Sequence, residues 1–321
     1  MDQSETHEAT PTPFFLVGAV RSGTTLLRLM LGHHPEICLC EEMEYVAPYI
    51  PQFLNSDQGL EPYREALSID KGFRLSGYEL LDSDNFEEVV TGFFRQRMQQ
   101  DQKPLVGSVV HHDFENLTQL WPNAKFMYLS RDPRDVARSS VKMGWHGSAW
   151  GGASIWETAY DSWVSLKKQL PESQLMEVPY PKLVAEPEQE LERICEFLGV
   201  SFTPEMMEID KDTTYSKPNP KAARSWRDSA SKAEVRQVEA RVRDKLQEAG
   251  FELSEYPPLS VSGLNLTLIE LSDLVNRVLF RCKRYGFTLW LSNVLAPRLG
   301  LKDWNKKVKM QIQAIEIQHH K

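Results

Sequence analysis

The sequence predicts an α/β fold: a parallel β-sheet flanked by helices on both faces, followed by a C-terminal helical tail. Three observations point to it. Short apolar runs recur at 14–18, 105–110, 126–130 and 175–178. Strands apolar on both sides belong to a sheet covered on both faces. Stretches with helical apolar spacing alternate with these runs. A glycine, four residues and a second glycine, Gly18 to Gly23, then join the first run to the first helical stretch.

The elements follow in order. Residues 24–33 carry an apolar face of Leu26, Leu27, Met30 and Leu31. Asn85 and Glu88 have capping-box spacing, which opens a helix through about residue 100. Pro133 suits the first turn of a helix. Over 155–170, Ile155, Trp156, Ala159, Trp163, Leu166 and Leu170 share a face. Trp145, Trp150 and Trp156, with Gly144, Gly147, Gly151 and Gly152, read as a flexible aromatic loop over a ligand site or as a packed surface loop. In 187–198, Leu191, Ile194, Cys195 and Leu198 face inward. Ser231 and Glu234 form a second capping-box pattern, and Val235, Val238, Val242 and Leu246 follow until Gly250 stops the helix.

The 321 residues divide into a polar segment, 1–12, expected to be disordered, a main domain at 13–255 and an extension at 256–321. The start lacks the basic and apolar parts of a signal peptide. No apolar run reaches the length of a membrane span, so a cytoplasmic protein is expected. Net charge is −8, which exerts no general pull toward nucleic acid; an anion site must be built locally. From Leu264 onward ten Lys and Arg face four acids, a net +6, leaving −14 for the rest. Residues 264–285 and 287–295 are apolar enough for amphipathic helices. These would pack on the core, form a homo-oligomer arm or dock on an anionic membrane surface. The four cysteines read as buried thiols, with Cys38 and Cys40 expected on opposite sides of an extended segment. No His/Cys spacing suggests a metal.

Two segments read as anion sites at strand ends. In the first, Gly18-Ala-Val-Arg21-Ser22-Gly23-Thr24-Thr25, backbone N–H groups and a helix start point at a phosphate. The glycine spacing is that of a P-loop. Thr24 stands where a kinase or NTPase has its lysine, and the cation inside the loop is Arg21. A sulfuryl group, with one charge fewer than a phosphoryl group, needs neither that lysine nor a metal. The second segment, 126–139, runs strand, turn, helix. Arg131 at the strand end and Ser139 two helical turns on are suited to one terminal phosphate, unless Arg131, Asp132, Arg134 and Asp135 are a surface salt-bridge cluster. Together the two sites suit a nucleotide with phosphates at both ends of its ribose.

These motifs resemble sulfotransferases that use 3′-phosphoadenosine 5′-phosphosulfate (PAPS). GAVRSGTTLLRLML resembles their 5′-phosphosulfate loop, and YLSRDPRDVARS their 3′-phosphate motif. Tyr180-Pro-Lys-Leu-Val-Ala-Glu-Pro running into Ile-Cys-Glu-Phe-Leu-Gly199 resembles their third landmark. Trp226 resembles their late tryptophan. The likeness runs over about 13–255 and implies a P-loop NTPase-like fold and PAPS as co-substrate without metal. Arg21, Ser22, Gly23, Thr24, Thr25, Arg131 and Ser139 would bind it, with Tyr180 and Trp226 as candidates to wall the adenine. HHPEICLCEEMEYVAP is similar to the tyrosylprotein sulfotransferase stretch whose second Glu is the catalytic base, which maps onto Glu42. The Arg two positions on is Glu44 here, and a later Arg that assists the 3′-phosphate maps onto Met143. Both departures argue against peptide tyrosine as acceptor.

The resemblance implies transfer of a sulfuryl group to a hydroxyl or amine of a small-molecule, glycan, lipid or peptide acceptor. Arg21 would stabilise the charge that develops, and Glu42 or His111 would take the acceptor proton. Two other readings remain: a small-molecule P-loop kinase, and a non-catalytic nucleotide-binding or membrane-docked protein on the same fold.

Overall fold

A computed structural model describes residues 11–210 and 217–319. Most of the segment expected to be disordered, 1–10, lies outside the described residues. β1 (Phe14–Val17) leads through the glycine turn into α1 (Thr24–Gly32) and β2 (Ile37–Glu42). Helices α2 (Ile50–Phe53), α3 (Glu61–Ile69), α4 (Lys71–Ser76) and α5 (Phe86–Asp101) precede β3 (Leu105–Val110) and β4 (Lys125–Ser130). α6 (Pro133–Met143) and α7 (Ala149–Gln169) lead to β5 (Leu175–Pro179). Then come α8 (Tyr180–Ala185), α9 (Pro187–Leu198), α10 (Trp226–Ser229) and α11 (Lys232–Glu248). The tail forms α12 (Leu264–Tyr285), α13 (Phe287–Arg298) and α14 (Lys302–His319).

All strand pairs are parallel, in the order β2-β3-β1-β4-β5. β1 is central, with Phe14 level with Gly107 of β3 and Lys125 of β4. The chain fills one side of β1 first and the other side afterwards. The crevice at its carboxyl end is therefore the switch point where such sheets bind ligands. Alternate residues feed two cores. Phe15, Val17, Phe126 and Tyr128 pack with residues of α5, α7 and α11. Phe14, Leu16, Met127 and Leu129 pack with residues of α1, α8 and α9. Burial on both faces is why the strands read as continuous apolar runs.

The structure corrects several expectations. β2 is a fifth strand where four apolar runs were expected; its two terminal glutamates interrupt the apolar signal. Cys38 and Cys40 lie on the same face of β2, because residues two apart in a strand point the same way. Both are free thiols that burial pushes up, Cys38 to about 11 and Cys40 to about 12. Only one arm of the first capping box forms. Asn85 Oδ1 accepts from the Glu88 N–H at 3.2 Å, while the Glu88 carboxylate takes the Ser83 hydroxyl. The Ser231–Glu234 box is complete.

The aromatic segment is largely helix, not loop. α7 begins at Ala149, with Ser148 as its cap, so Trp150, Gly151 and Gly152 belong to it. Gly152 serves close packing: a Cβ there would stand 2.6 Å from the Ala137 carbonyl oxygen of α6. The tail packs against the domain. Lys302 pairs with Glu65 at 2.9 Å, and Gln313 accepts from Arg74 at 2.7 Å. No described helix is long and apolar enough to cross a membrane.

Candidate active site

The loop after β1 is bent by two glycines that nothing larger replaces. Gly18 has φ +146°, and a Cβ would stand 2.7 Å from the Leu129 carbonyl oxygen. Gly23 caps α1 at φ +105°, and a Cβ would stand 2.5 Å from the Tyr180 ring. Arg21 between them adopts φ +74°, uncommon for a residue with a side chain. The first turn of α1 carries no acid, so its N-terminus faces the crevice uncompensated. Ser22 Oγ is buried and has no partner among the described residues.

Arg21 Nε donates to Ser139 Oγ at 2.9 Å, so the two anion-site segments touch. Arg131 donates from Nη1 to the Arg21 carbonyl at 3.0 Å and from Nη2 to the Ala222 carbonyl at 3.1 Å. Its guanidinium lies 4.3 Å from the centroid of the Tyr180 ring, and its Nε is buried without a partner among the described residues. Burial pushes the Tyr180 hydroxyl up, against the pull of Arg131. The ring is part of the crevice lining.

The Arg131–Asp135 cluster divides in two. Arg134 is buried and forks onto Asp132, Nε to Oδ1 at 2.8 Å and Nη2 to Oδ2 at 2.7 Å. Its Nη1 reaches Glu239 at 2.8 Å. Trp226 joins this network: its indole N–H donates to Asp132 Oδ2 at 2.9 Å, and Arg134 stacks 3.7 Å from its ring centroid. Trp226 is therefore held in a buried ionic network and is not among the residues lining the crevice.

Glu42 ends β2 and His111 follows β3. His111 is buried, with Nδ1 bonded to the Gly18 carbonyl at 2.8 Å and Nε2 at 3.5 Å from Glu42 Oε1. The carbonyl fixes the Nδ1 proton, because a carbonyl only accepts. The second distance is that of an ion pair, too long for a tight hydrogen bond. The Glu42 side chain is 54% exposed, so its carboxylate faces the crevice with His111 behind it. The His111 ring holds the Glu42 carboxyl below the ordinary range, against the effect of burial. Burial works to lower the pKa of His111, but Glu42 and Glu44 outweigh it and the net shift is upward. Glu44, whose pKa burial raises, turns inward. Its carboxylate accepts the His111 backbone N–H at 2.8 Å and lies 3.0 Å from His112 Nε2.

One crevice of 570 Å³, a volume ordinary for a small-ligand site, takes in part of this group; Ser22, His111 and Ser139, like Trp226, are not among the residues that line it. Arg21, Gly23, Thr24, Thr25, Glu42, Arg131 and Tyr180 line it. The sequence reading missed three polar lining residues: Lys71, Lys217 and Asn219. Lys71 opens a six-residue helix capped by Asp70, and no motif marks it. Lys217 and Asn219 stand in a Pro-rich stretch without periodicity. Among the described residues no cluster of three or more His, Cys, Asp or Glu side chains could hold a metal ion.

A parallel sheet with a glycine-bent anion loop, two converging arginines and a carboxylate at the strand ends defines an enzyme that handles an anionic group donor. The chain belongs to the sulfotransferase family, whose model matches residues 13–204, and so is an enzyme of sulfuryl transfer. Protein-tyrosine sulfotransferase 2 of Gallus gallus is 29% identical over 202 residues, 59% of this chain and 51% of that protein. Protein-tyrosine sulfotransferase A of Caenorhabditis elegans is 27% identical over 220 residues, 64% of this chain and 56% of that protein. The matches thus span about half the length of these two relatives. The sulfotransferase domain of the Synechococcus PCC 7002 olefin synthase has the same fold. Its TM-score is 0.55 at 20% identity, over 80% of this chain and 100% of that one.

Proposed function

We propose that the donor is PAPS, that residues 13–255 form the transferase domain, and that Glu42 is the general base. The observation that carries this reading is the contact of Arg21 with Ser139 and Arg131, which brings the two anion-site segments to one crevice. The cradle fits an oxyanion. Gly18 and Gly23 leave no room for a Cβ, and among the described residues Ser22 Oγ and Arg131 Nε are buried without partners. Arg21, Ser22, Gly23, Thr24 and Thr25 would hold the phosphosulfate end. Arg131 and Ser139 would hold the second phosphate, with Tyr180 against the nucleoside.

PAPS supplies an electrophilic sulfur with a good leaving group. Glu42 takes the proton of the acceptor hydroxyl as its oxygen bonds to sulfur and the bond to the bridging oxygen breaks. Arg21 and the loop N–H groups stabilise the charge that builds up. His111, with its Nδ1 on the Gly18 carbonyl and its Nε2 3.5 Å from Glu42 Oε1, orients the Glu42 carboxylate from behind.

The acceptor we propose is a hydroxyl compound other than peptide tyrosine. The two relatives carry tyrosine-specific names, but Glu44 here is turned into the protein and serves His111 and His112. The test is transfer of labelled sulfate from PAPS to a panel of sugars, lipids, phenols and a tyrosine peptide. No transfer to any acceptor, with ATP turned over instead, overturns the reading.

We also propose a cytoplasmic enzyme that meets an anionic membrane surface through its tail. Leu264, Leu268, Leu271 and Leu279 of α12 are 54–84% exposed, and the tail carries net +6. Vesicles with and without phosphatidylserine test this. Equal binding to both, or none, overturns it.

A further inference from the structure

The tail also contacts the segment that carries a crevice residue, Trp145. The segment between α6 and α7, residues 144–148, contributes Trp145 to the crevice lining. Trp145 also borders a second cavity of 280 Å³, lined among others by Arg281, Tyr285 and Trp290 of the tail. It is common to the linings of both.

Successive turns of α12 hold this segment. Asp273 is buried, and its Oδ1 accepts from the Gly147 N–H, the Ser148 N–H and the Ser148 hydroxyl, each at 2.9 Å. Its other oxygen pairs with Arg277 Nε at 2.8 Å. Asn276 donates to the Gly147 carbonyl at 2.9 Å. Phe280 lies flush on Gly144, whose φ of +74° no β-branched residue adopts readily. Arg284 donates to the Met143 carbonyl at 3.3 Å. These residues recur at three- and four-residue steps and so form one helix face. The Asp273 carboxylate also stands at the N-terminus of α7, where a negative charge is favoured and the first N–H groups need partners.

We propose that α12, through Asp273 and Asn276, is the clamp that sets Trp145 in the crevice, so that the C-terminal tail shapes the acceptor side of the transfer site. Asp273 and Asn276 are positioning residues, since neither lines the crevice. The assignment of the crevice to transfer rests on the proposed function; the clamp itself is read out without it.

The test is hydrogen–deuterium exchange on the full chain, with acrylamide quenching of Trp145 taken as the difference from a Trp145→Phe protein. In Asp273→Ala, exchange over 143–151 is expected to rise at least tenfold and Trp145 quenching at least twofold, while α11 stays protected. Asp273→Asn keeps an acceptor oxygen and is expected to restore most of the protection. Asn276→Ala, a milder change, is expected to raise exchange at Gly147 without unfolding α7. Unchanged exchange over 143–151 in both Asp273→Ala and Asn276→Ala overturns the clamp, as does failure of Asp273→Asn to protect better than Asp273→Ala. Binding of adenosine 3′,5′-bisphosphate is measured in parallel. If the wild-type protein does not bind it, the donor assignment fails and the clamp stands on the exchange data alone.

Discussion

Arg21 and Ser139, 118 residues apart, meet at 2.9 Å, with the guanidinium Nε donating to the hydroxyl. The contact joins the loop after β1 to α6 and brings the cation of one anion site to the hydroxyl of the other. Arg131 joins the group by donating to the Arg21 carbonyl.

Removing Arg21 takes away charge-assisted hydrogen bonds worth about 1.5–3 kcal/mol. Arg21→Ala is expected to weaken binding of adenosine 3′,5′-bisphosphate roughly 10- to 100-fold by titration calorimetry. Arg131→Ala is expected to do the same. Ser139→Ala has a smaller effect, because a neutral hydroxyl contributes about 1 kcal/mol. Wild-type affinity in Arg131→Ala refutes the two-phosphate site.

Gly23→Ala puts a methyl group where the Tyr180 ring stands, at a φ that side chains disfavour. We expect a melting temperature lower by several degrees and loss of bisphosphate binding. The double variant Gly23→Ala/Tyr180→Ala should recover part of the stability, since it removes the collision but not the backbone strain.

Glu42→Gln is expected to lower turnover by about 100-fold or more while leaving bisphosphate affinity near wild type. Glu42 has to be ionised to accept a proton, and its pKa is depressed chiefly by His111. The acid limb of the kcat/KM profile should therefore lie below the ordinary glutamate range. Replacing His111 with Gln removes the depression, so that limb should move to higher pH. An acid limb that stays put separates the two residues.

The same pair makes stability depend on pH. The folded pKa of His111 is raised, so its contribution is complete below its unfolded value near 6.5 and is lost as pH rises through the folded value. The folded pKa of Glu42 is lowered, so its contribution is present above about 4.5 and is lost as pH falls through the folded value. Urea unfolding of wild type and His111→Gln should differ most between those limits and converge at alkaline pH.

Arg134→Ala leaves Asp132 and Glu239 buried without their cation, a loss of about 3–5 kcal/mol. Trp226→Phe removes one indole hydrogen bond to Asp132. It is expected to lower the melting temperature yet keep bisphosphate affinity within about twofold. A large loss of affinity would instead put Trp226 in the donor site.

Much of the fold was legible residue by residue. The apolar runs gave four of the five strands, and Ser231 with Glu234 marked the start of α11. β2 escaped because Glu41 and Glu42 stand at its exposed end, where the strand leaves the core for the crevice. The start of α7 was misread because Gly151 and Gly152 look like loop residues. Their lack of a side chain instead admits Asp273 and the α6 backbone.

The sequence by itself determined the alternation of strands and helices, the anion loop and the identity of its cation. Glycine turns, caps and apolar periods act between residues close along the chain. Only the tertiary structure decided that Arg21 reaches Ser139, that Trp226 joins a buried ionic network, and that α12 holds the Trp145 segment. Each of those depends on contacts between residues some 90 or more positions apart, set by how the sheet and helices pack.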